Sequence, residues 1–389
     1  MNMVAQRISK AFTLSLIVLL MAACSLIDND DKKEVIAPLI DLPAQAVELD
    51  KVWSRSVGSQ GDRALGLQLT PAISGGSIYA ASASGDVMAI GRADGDIRWE
   101  TDVDVELISA VGAGGDLVVV SSVDGGVHAI DAATGAVRWR AQASSEVLAP
   151  AAIDSNVVVI QAVDSRVQAF EASTGRQLWS YSASQAVLSV RGNSAPVIKD
   201  GAVYVAFDNG KLAILDAKTG LLRWERRFMV PDGRSEFERV IDVQSDPVLT
   251  DSAVIVGCYQ GSVISVARDT GQPQWQEKAS VVQNMAVSDD SLFIVEGDSV
   301  RALMLGSGRE AWKTDGFSGR RLSGAAVLGD YVAIADKEGY VHLLKQSDGS
   351  YVGRYSVGGD GVRANLLSDD GALYALTGSG KLFALAVSR

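Results

Sequence analysis

Apolar and polar residues alternate in short runs along almost the whole chain, as in Gly380-Lys-Leu-Phe-Ala-Leu385. Alternation with a period of two, rich in β-branched residues and interrupted by Gly, Asp and Ser, predicts short β-strands. A phrase of this kind, with apolar residues two and five positions after its start, occurs eight times, and we interpret it as an inner strand of a repeat. The copies begin at Gly85, Gly125, Ser165, Gly210, Gly261, Asp298, Gly339 and Gly380.

A second phrase, a turn that ends in glycine, follows each of the first seven copies. The turns are Asp94-Gly95, Thr134-Gly135, Thr174-Gly175, Thr219-Gly220, Thr270-Gly271, Ser307-Gly308 and Asp348-Gly349. A tryptophan stands four residues after each of the first six glycines, at Trp99, Trp139, Trp179, Trp224, Trp275 and Trp312. Gly353 occupies this slot in the seventh copy, and the eighth copy has no turn before Arg389. The missing element is found near the start of the chain, in Leu49-Asp-Lys-Val-Trp53.

This repeat predicts an all-β fold, an eight-bladed β-propeller with four-stranded antiparallel blades. One unit divides into strands at 150–153, 156–162, 166–171 and 176–182. The segment around Trp53 is expected to supply the last strand of blade 8, so that the N-terminal strand closes the ring and removes exposed edges. Each tryptophan is expected to lie flat over a neighbouring Thr-Gly turn and to bury roughly 150–250 Å² of aromatic surface between blades.

The N-terminal region has the character of a targeting sequence. Residues 1–23 contain a basic start, Arg7 and Lys10, and an apolar run that is short for a membrane span. The run ends in Leu20-Met-Ala-Ala-Cys24, which resembles the lipoprotein box, in which the cysteine is acylated, for example with palmitate. The alternative is an ordinary signal peptide with an incidental cysteine. Residues 24–46 are then a lipidated cysteine and a flexible tether, and residues 47–389 form the propeller.

Charge and composition exclude several kinds of chemistry. The net charge of −12 argues against binding to nucleic acid or to anionic lipid by electrostatic attraction. Cys258 has no cysteine left to pair with, and we expect it to be a buried apolar residue. His128 and His342 occupy the same slot of two different repeats and are interpreted as ordinary variation. The chain has no zinc-spaced set, EF-hand loop or nucleophile elbow, so we predict no catalytic residue and no metal site.

Two links between repeats are longer than the others, at 182–196 and at 226–247. Both connect the outer strand of one blade to the inner strand of the next, which places them side by side on one face of the ring. Extra loop length in a repeat protein often indicates a binding site. The links combine apolar residues, such as Leu188 and Val190, with charged ones, such as Arg191 and Asp242. The alternative is that both links simply fold back onto the propeller.

The phrase Ala-x-Asp-x-x-Thr-Gly-x-x-x-Trp, present at residues 129–139, resembles the repeat of quinoprotein dehydrogenases. That resemblance implies a periplasmic enzyme with pyrroloquinoline quinone (PQQ) and calcium near the ring axis, a stacked tryptophan and an adjacent cysteine pair. The chain has no adjacent cysteine pair, and the blade repeat accounts for all seven tryptophans. We therefore expect no cofactor, and the PQQ-dependent dehydrogenase remains the alternative function.

The lipoprotein box, the tether and eight blades without a cofactor site together resemble the BamB family, the propeller lipoproteins of the β-barrel assembly (BAM) machinery. This resemblance implies a non-catalytic scaffold on the periplasmic face of the outer membrane. Its partners would be the POTRA domains of BamA, other BAM components and unfolded outer-membrane proteins. The implied BamA contacts are Leu188, Val190, Arg191, Asp242 and Gln244, the last in a position that is often acidic in the family. A generic adhesion or peptidoglycan-binding propeller is a further alternative.

Overall fold

The computed structural model describes residues 35–61, 69–183, 194–229, 242–362 and 364–388. Leu188, Val190, Arg191 and Cys24 lie outside these residues. Ala37–Arg389 forms one compact unit, and the described part of it contains strands and no helix. A helix long and apolar enough to cross a membrane was not found in the described residues.

The strands form eight antiparallel sheets of four, which confirms the predicted blades. The first strand is β1 (Leu49–Ser56). Blades 1 and 2 contain β2 (Ala72–Ser74), β3 (Ser77–Ala81), β4 (Asp86–Gly91), β5 (Ile97–Asp102), β6 (Gly112–Gly114), β7 (Leu117–Ser121), β8 (Gly126–Asp131) and β9 (Val137–Gln142). Blades 3 and 4 contain β10 (Ala152–Ile153), β11 (Val157–Gln161), β12 (Arg166–Glu171), β13 (Gln177–Ser182), β14 (Val197–Lys199), β15 (Ala202–Ala206), β16 (Lys211–Asp216) and β17 (Leu222–Arg227).

The second half of the ring repeats the pattern. Blades 5 and 6 contain β18 (Val248–Leu249), β19 (Ala253–Gly257), β20 (Gly261–Ala267), β21 (Pro273–Ala279), β22 (Ala286–Val287), β23 (Ser291–Glu296), β24 (Ser299–Met304) and β25 (Glu310–Thr314). Blades 7 and 8 contain β26 (Ala326–Leu328), β27 (Tyr331–Ala335), β28 (Tyr340–Lys345), β29 (Tyr351–Ser356), β30 (Leu367–Asp369), β31 (Ala372–Leu376) and β32 (Lys381–Val387), with β1 as the fourth strand of blade 8.

The two ends of the chain meet in blade 8, as predicted. β1 pairs antiparallel with β32 from Leu49 opposite Val387 to Ser56 opposite Lys381. The interpretation of the alternating phrases as the inner strands of the blades was wrong. The alternating phrases form the third strand of each blade, whereas the short first strands, such as β2, β6 and β10, contact one another around the axis. The third strands are buried along most of their length and six or seven residues long, so their apolar pattern is clear in the sequence.

Tryptophans join the blades. The indole ring on the fourth strand of one blade lies on the glycine of the turn in the next blade. A Cβ atom added at Gly175, for example, would lie only 2.5 Å from Cε3 of Trp139. The same contact occurs at Gly95, Gly135, Gly220, Gly271, Gly308 and Gly349. The seven tryptophans therefore have the role that the sequence predicted.

Each indole is also fixed by a hydrogen bond across the interface. The Nε1–H group donates to a backbone carbonyl at the start of the neighbouring turn, at N···O distances of 2.7 to 3.2 Å. Trp53 donates to Arg92, Trp99 to Ala132, Trp139 to Ala172, Trp179 to Ala217, Trp224 to Arg268, Trp275 to Leu305 and Trp312 to Gln346. A β-bulge lies directly beside each tryptophan, as between Ala89 and Ile90 opposite Trp99. Bulges of this kind re-aim a side chain.

The contacts of Asp131 explain why an aspartate and a threonine recur in the turn phrase. Oδ1 of Asp131 accepts hydrogen bonds from the amide and the hydroxyl of Thr134, both at 2.8 Å. Oδ2 accepts from the guanidinium of Arg138 at 2.6 Å. Arg138 first and Thr134 second lower the pKa of Asp131 to about 2, so the carboxylate stays charged and holds the turn in the shape that receives Trp99.

The interface between blades 7 and 8 lacks a tryptophan because another segment occupies the space. Val47 forms a parallel bridge with Gly353, and its amide donates to the carbonyl of Val352 at 2.8 Å. A Cβ atom at Gly353 would lie 2.6 Å from the carbonyl oxygen of Val47. The assignment of residues 37–46 to the flexible tether was therefore wrong, because these residues belong to the folded unit. We call residues 37–47 the strap.

The core is divided among the blade interfaces. Eight clusters of buried apolar residues occur in the described residues, and each lies between two adjacent blades. The links from one blade to the next bond to the turn between the second and third strands, as when Lys337 donates to Arg320. We call this side of the ring the connection face. The turns that contain Gly175 and its equivalents form the opposite side, the turn face.

Replacing Gly175 by alanine should weaken the ring more than the same change at Gly371. Both residues have positive φ, +73° and +76°, so both variants lose about 1–2 kcal/mol from backbone strain. Only Gly175 faces an indole, whereas nothing lies within 4 Å of a Cβ at Gly371. Displacing Trp139 adds about 1–3 kcal/mol. Urea unfolding of the two variants measures the difference, and equal losses would show that the indole contact is not the cause.

Candidate functional site

The two long links leave the ring on the connection face. The first joins β13 to β14 and the second joins β17 to β18, so blade 4 lies between them. Of the five residues that the sequence suggested as partner contacts, Asp242 and Gln244 are described by the structure. Both lie at the end of the second link, just before β18.

Asp242 lies below the surface of the isolated chain. It is fully buried, and its carbonyl accepts a hydrogen bond of 2.8 Å from the amide of Tyr259. Nε2 of Gln244 donates to Oδ2 of Asp242 at 3.3 Å. Gln244 is only half-buried and reaches the surface. Asp242 thus supports the end of the link from beneath, and Gln244 is the more accessible of the two.

Asp246 ties both links together, a role that sequence analysis missed. Its Oδ1 accepts a hydrogen bond of 2.6 Å from the amide of Ala195, at the end of the first link. Its Oδ2 accepts from Nδ2 of Asn284 in the next blade at 2.8 Å, and its own amide donates to Oδ1 of Asn284 at 2.9 Å. Burial raises the pKa of Asp246, while the bonds from Ala195 and Asn284 oppose this rise. The only signal in the sequence is its place, directly before Pro247 and the first strand of blade 5.

A cavity of about 530 Å³ opens at the centre of the connection face. It is lined by the residues that precede or begin the first strands of seven blades, which places it on the ring axis. The polar groups in the lining are mainly amides, including Gln244, Gln283, Asn284 and Asn365, beside small apolar residues and the single carboxylate of Asp246. Such a surface is suited to hydrogen bonding with a neutral partner.

The residues of this cavity do not fit a quinone cofactor with calcium. Calcium prefers six to eight oxygen ligands, usually with several carboxylates. The described lining contains one carboxylate, and that carboxylate is already bonded to Ala195 and Asn284. No group of three or more His, Cys, Asp or Glu residues that could hold a metal was found in the described part of the chain. All seven tryptophans lie between blades, so none lies over the axis to stack on a ring.

The two histidines are buried structural residues. His342 donates from Nε2 to Asp336 at 3.0 Å, and its Nδ1 accepts from the hydroxyl of Tyr351 at 2.8 Å. Burial lowers the pKa of His342, although Asp336 opposes this, and the neutral ring is consistent with both bonds. His128 is also buried, and burial lowers its pKa. They lie in the equivalent strands β8 and β28 of two blades, as their shared slot in the repeat predicted.

Cys258 lies in the core, as predicted. It is 1% exposed, and burial raises the pKa of its thiol to about 12. The reactive thiolate form is therefore absent at neutral pH. The connection face thus offers a cavity with hydrogen-bonding groups beside the ends of two long links. Cys258, which lies on this side of the ring, is not an activated nucleophile.

Comparison with known proteins agrees with this description. A family model described as outer membrane protein assembly factor BamB matches residues 39–106, 104–314 and 296–388. A protein of Pseudomonas aeruginosa with the same name is 46% identical over 375 residues, which cover 96% of this chain and 98% of that protein.

Solved structures show the same fold. The crystal structure of BamB from Moraxella catarrhalis matches with a TM-score of 0.79 and 26% identity, and the match covers 87% of this chain and 100% of that one. Quinohemoprotein alcohol dehydrogenase from Comamonas testosteroni matches with a TM-score of 0.68 but 13% identity, over 88% of this chain and 77% of the enzyme. At that identity the likeness shows the fold alone.

Replacing Asp246 by alanine should loosen both links at once. The amide of the buried Ala195 would lose its acceptor, and an unsatisfied buried donor costs about 1–3 kcal/mol. The half-buried side-chain amide of Asn284 would also lose a hydrogen bond. Asp251, on the turn face of the same blade, is a matched control. Its carboxylate is fully exposed and makes a long ion pair, 3.8 Å from Oδ1 to Nζ of Lys199. Its replacement should change the free energy of unfolding by less than about 1 kcal/mol. Urea denaturation compares the two, and a loss at Asp246 no larger than at Asp251 would contradict the anchoring role.

Proposed function

Because the chain belongs to the BamB family of outer membrane protein assembly factors, we propose that it acts as a non-catalytic scaffold lipoprotein of the β-barrel assembly machinery. In this role it holds the POTRA domains of BamA on its connection face and assists the folding and insertion of outer-membrane proteins. The family membership covers nearly the whole chain, so the proposal concerns the complete propeller and not one part of it.

The observation that carries the proposal is the arrangement of the two long links. They depart from the repeat on one face, their ends are joined through Asp246, and they flank an axial cavity lined by amides. A rigid ring with one irregular face is suited to binding a partner, since few side chains must be ordered when the complex forms. Leu188, Val190 and Arg191 are the proposed contacts in the first link, and Gln244 is the proposed contact in the second.

Acylation of Cys24 would attach the scaffold to the outer membrane on its periplasmic face. The chain has a net charge of −12, so attraction to an anionic bilayer would not hold it there. Acyl chains bind through their buried methylene groups, each worth about 0.8 kcal/mol, and two or more chains give stable attachment. Anchoring leaves the acidic propeller free to turn its connection face towards BamA.

The variant Leu188→Ala with Arg191→Glu should bind a soluble POTRA fragment of BamA at least about tenfold more weakly. An apolar anchor and a charged contact are removed together, and each such residue at an interface centre contributes about 1–2 kcal/mol or more. Binding of the purified mature chain is measured by isothermal titration calorimetry. Asp242 is left unchanged, because it is buried and its loss would test folding instead.

The matched control is Leu221→Ala with Arg309→Glu, which makes the same two changes on the turn face. Leu221 is 70% exposed and Arg309 is exposed in the turn before β25. Affinity equal to that of the unmodified chain is expected. Undiminished binding by the link variant would remove the proposed interface. Oxidation of an alcohol after incubation with pyrroloquinoline quinone and calcium would contradict the scaffold and support the enzyme.

A further inference from the structure

The strap follows the outer side of blade 7 before the chain enters β1. Its first residue, Ala37, donates its amide to the carbonyl of Ser318 at 2.8 Å, in the link between blades 6 and 7 on the connection face. Ile40 packs into the apolar cluster between these blades, and its Cδ1 lies 3.2 Å from the position of a Cβ at Gly316. Val47 bonds to β29 beside Gly353. The strap is thus held at its start and at its end.

The start of the strap is gripped by a buried arginine. Nη2 of Arg320 donates to the carbonyl of Ala37 at 2.7 Å, and its Nη1 bonds to Oδ2 of Asp336 at 2.7 Å. Arg320 is 5% exposed and Asp336 is fully buried. Asp336 is itself fixed by His342 and by the amides of Glu338 and Tyr340, at 2.9 to 3.0 Å. The contacts that orient the guanidinium of Arg320 are therefore made by blade 7 and do not depend on the strap.

A second arginine grips the strap three residues later. Nη1 of Arg354 donates to the carbonyl of Ile40 at 3.3 Å. The ring of Tyr340 lies beside both guanidinium groups, 6.0 Å from Cζ of Arg320 and 5.7 Å from Cζ of Arg354. Arginine and tyrosine in this arrangement attract one another, which holds both donors in place. Neither Arg320 nor Arg354 belongs to the repeated phrases that define the blades.

The position of this grip decides how much chain is free. If Cys24 is anchored, residues 25–36 separate the lipid from the gripped Ala37, whereas residues 25–48 would separate it from β1 if the strap came away. Fully extended, these lengths reach about 40 Å and about 80 Å. As flexible chains their mean spans are roughly 19 Å and 27 Å.

We propose that Arg320 and Arg354 form a clamp that holds the strap on blade 7 and so fixes both the length of the tether and the place, on the connection face, where the tether leaves the propeller. The clamp acts on backbone carbonyls and needs no particular side chain in residues 37–40. The tether-length part of this inference rests on the proposed anchoring through Cys24, whereas the clamp itself does not.

The test is hydrogen exchange of the strap in the full-length mature lipoprotein, reconstituted in nanodiscs. The variant Arg320→Met, Asp336→Asn, Arg354→Met removes both donors and leaves no uncompensated carboxylate. Exchange in peptides covering residues 37–47 should accelerate at least about tenfold, because two charge-assisted hydrogen bonds are lost. Exchange in β32 should stay slow, which shows that the ring remains closed.

Arg268→Met is the matched control. Arg268 lies 5.4 Å from the ring of Tyr204 and donates to the carbonyls of Thr250 and Asp251, so it makes the same kinds of contact in blade 5. It should leave strap exchange unchanged. If the ring does not tolerate the triple change, Arg354→Met alone should still accelerate exchange near Ile40. Strap exchange that is unaltered in both clamp variants would overturn the proposal.

Neutron reflectometry on a supported bilayer reports the tether. The mean gap between bilayer and propeller should widen by roughly 8 Å in the triple variant and not in Arg268→Met. A gap that stays the same while the strap exchanges freely would refute the control of tether length. Failure of the unmodified chain to attach to the bilayer would instead count against the lipoprotein assignment, since the exchange experiment tests the clamp independently.

Discussion

The contact of an indole ring with a glycine turn is the interaction on which this ring depends. Hydrogen bonds between strands occur within blades, so adjacent blades are joined mainly by side-chain packing and by the links. The flat ring of Trp139 can approach Gly175 closely only because the turn has no Cβ and has a positive φ. Its Nε1–H group then reaches the carbonyl of Ala172 at 2.8 Å. Apolar burial and one directional bond together set the angle between neighbouring blades.

This constraint explains why so much of the fold could be predicted from the sequence. A glycine, a bulge and a tryptophan recur at seven of the eight interfaces, so the number of blades and the closing role of Trp53 follow from counting. The order of the strands within a blade was predicted correctly, but which strand faces the axis was less accessible. A first strand such as Ala152–Ile153 is two residues long and half-buried, too short to show alternation, whereas the buried third strand shows it clearly.

The face on which both long links leave the ring could be predicted from the sequence, because an insertion in a repeat is visible in the sequence alone. The contacts that support the ends of these links could not. Asp246 bonds to Ala195, 51 residues away, and Arg320 bonds to Ala37, 283 residues away. Such pairs occur once in the chain and have no period, so no local pattern indicates them. The burial of Asp242 likewise depends on where the end of the link settles against Tyr259.

The strap has a mechanical consequence. A pull on the N-terminal side of Ala37 is transmitted along residues 37–47 before it reaches β1, and the arginine contacts at Ala37 and Ile40 bear the force first. β1 is the strand that closes the ring through its pairing with β32. Tension in the tether is therefore borne by these two contacts before it reaches the strand whose pairing with β32 closes the ring.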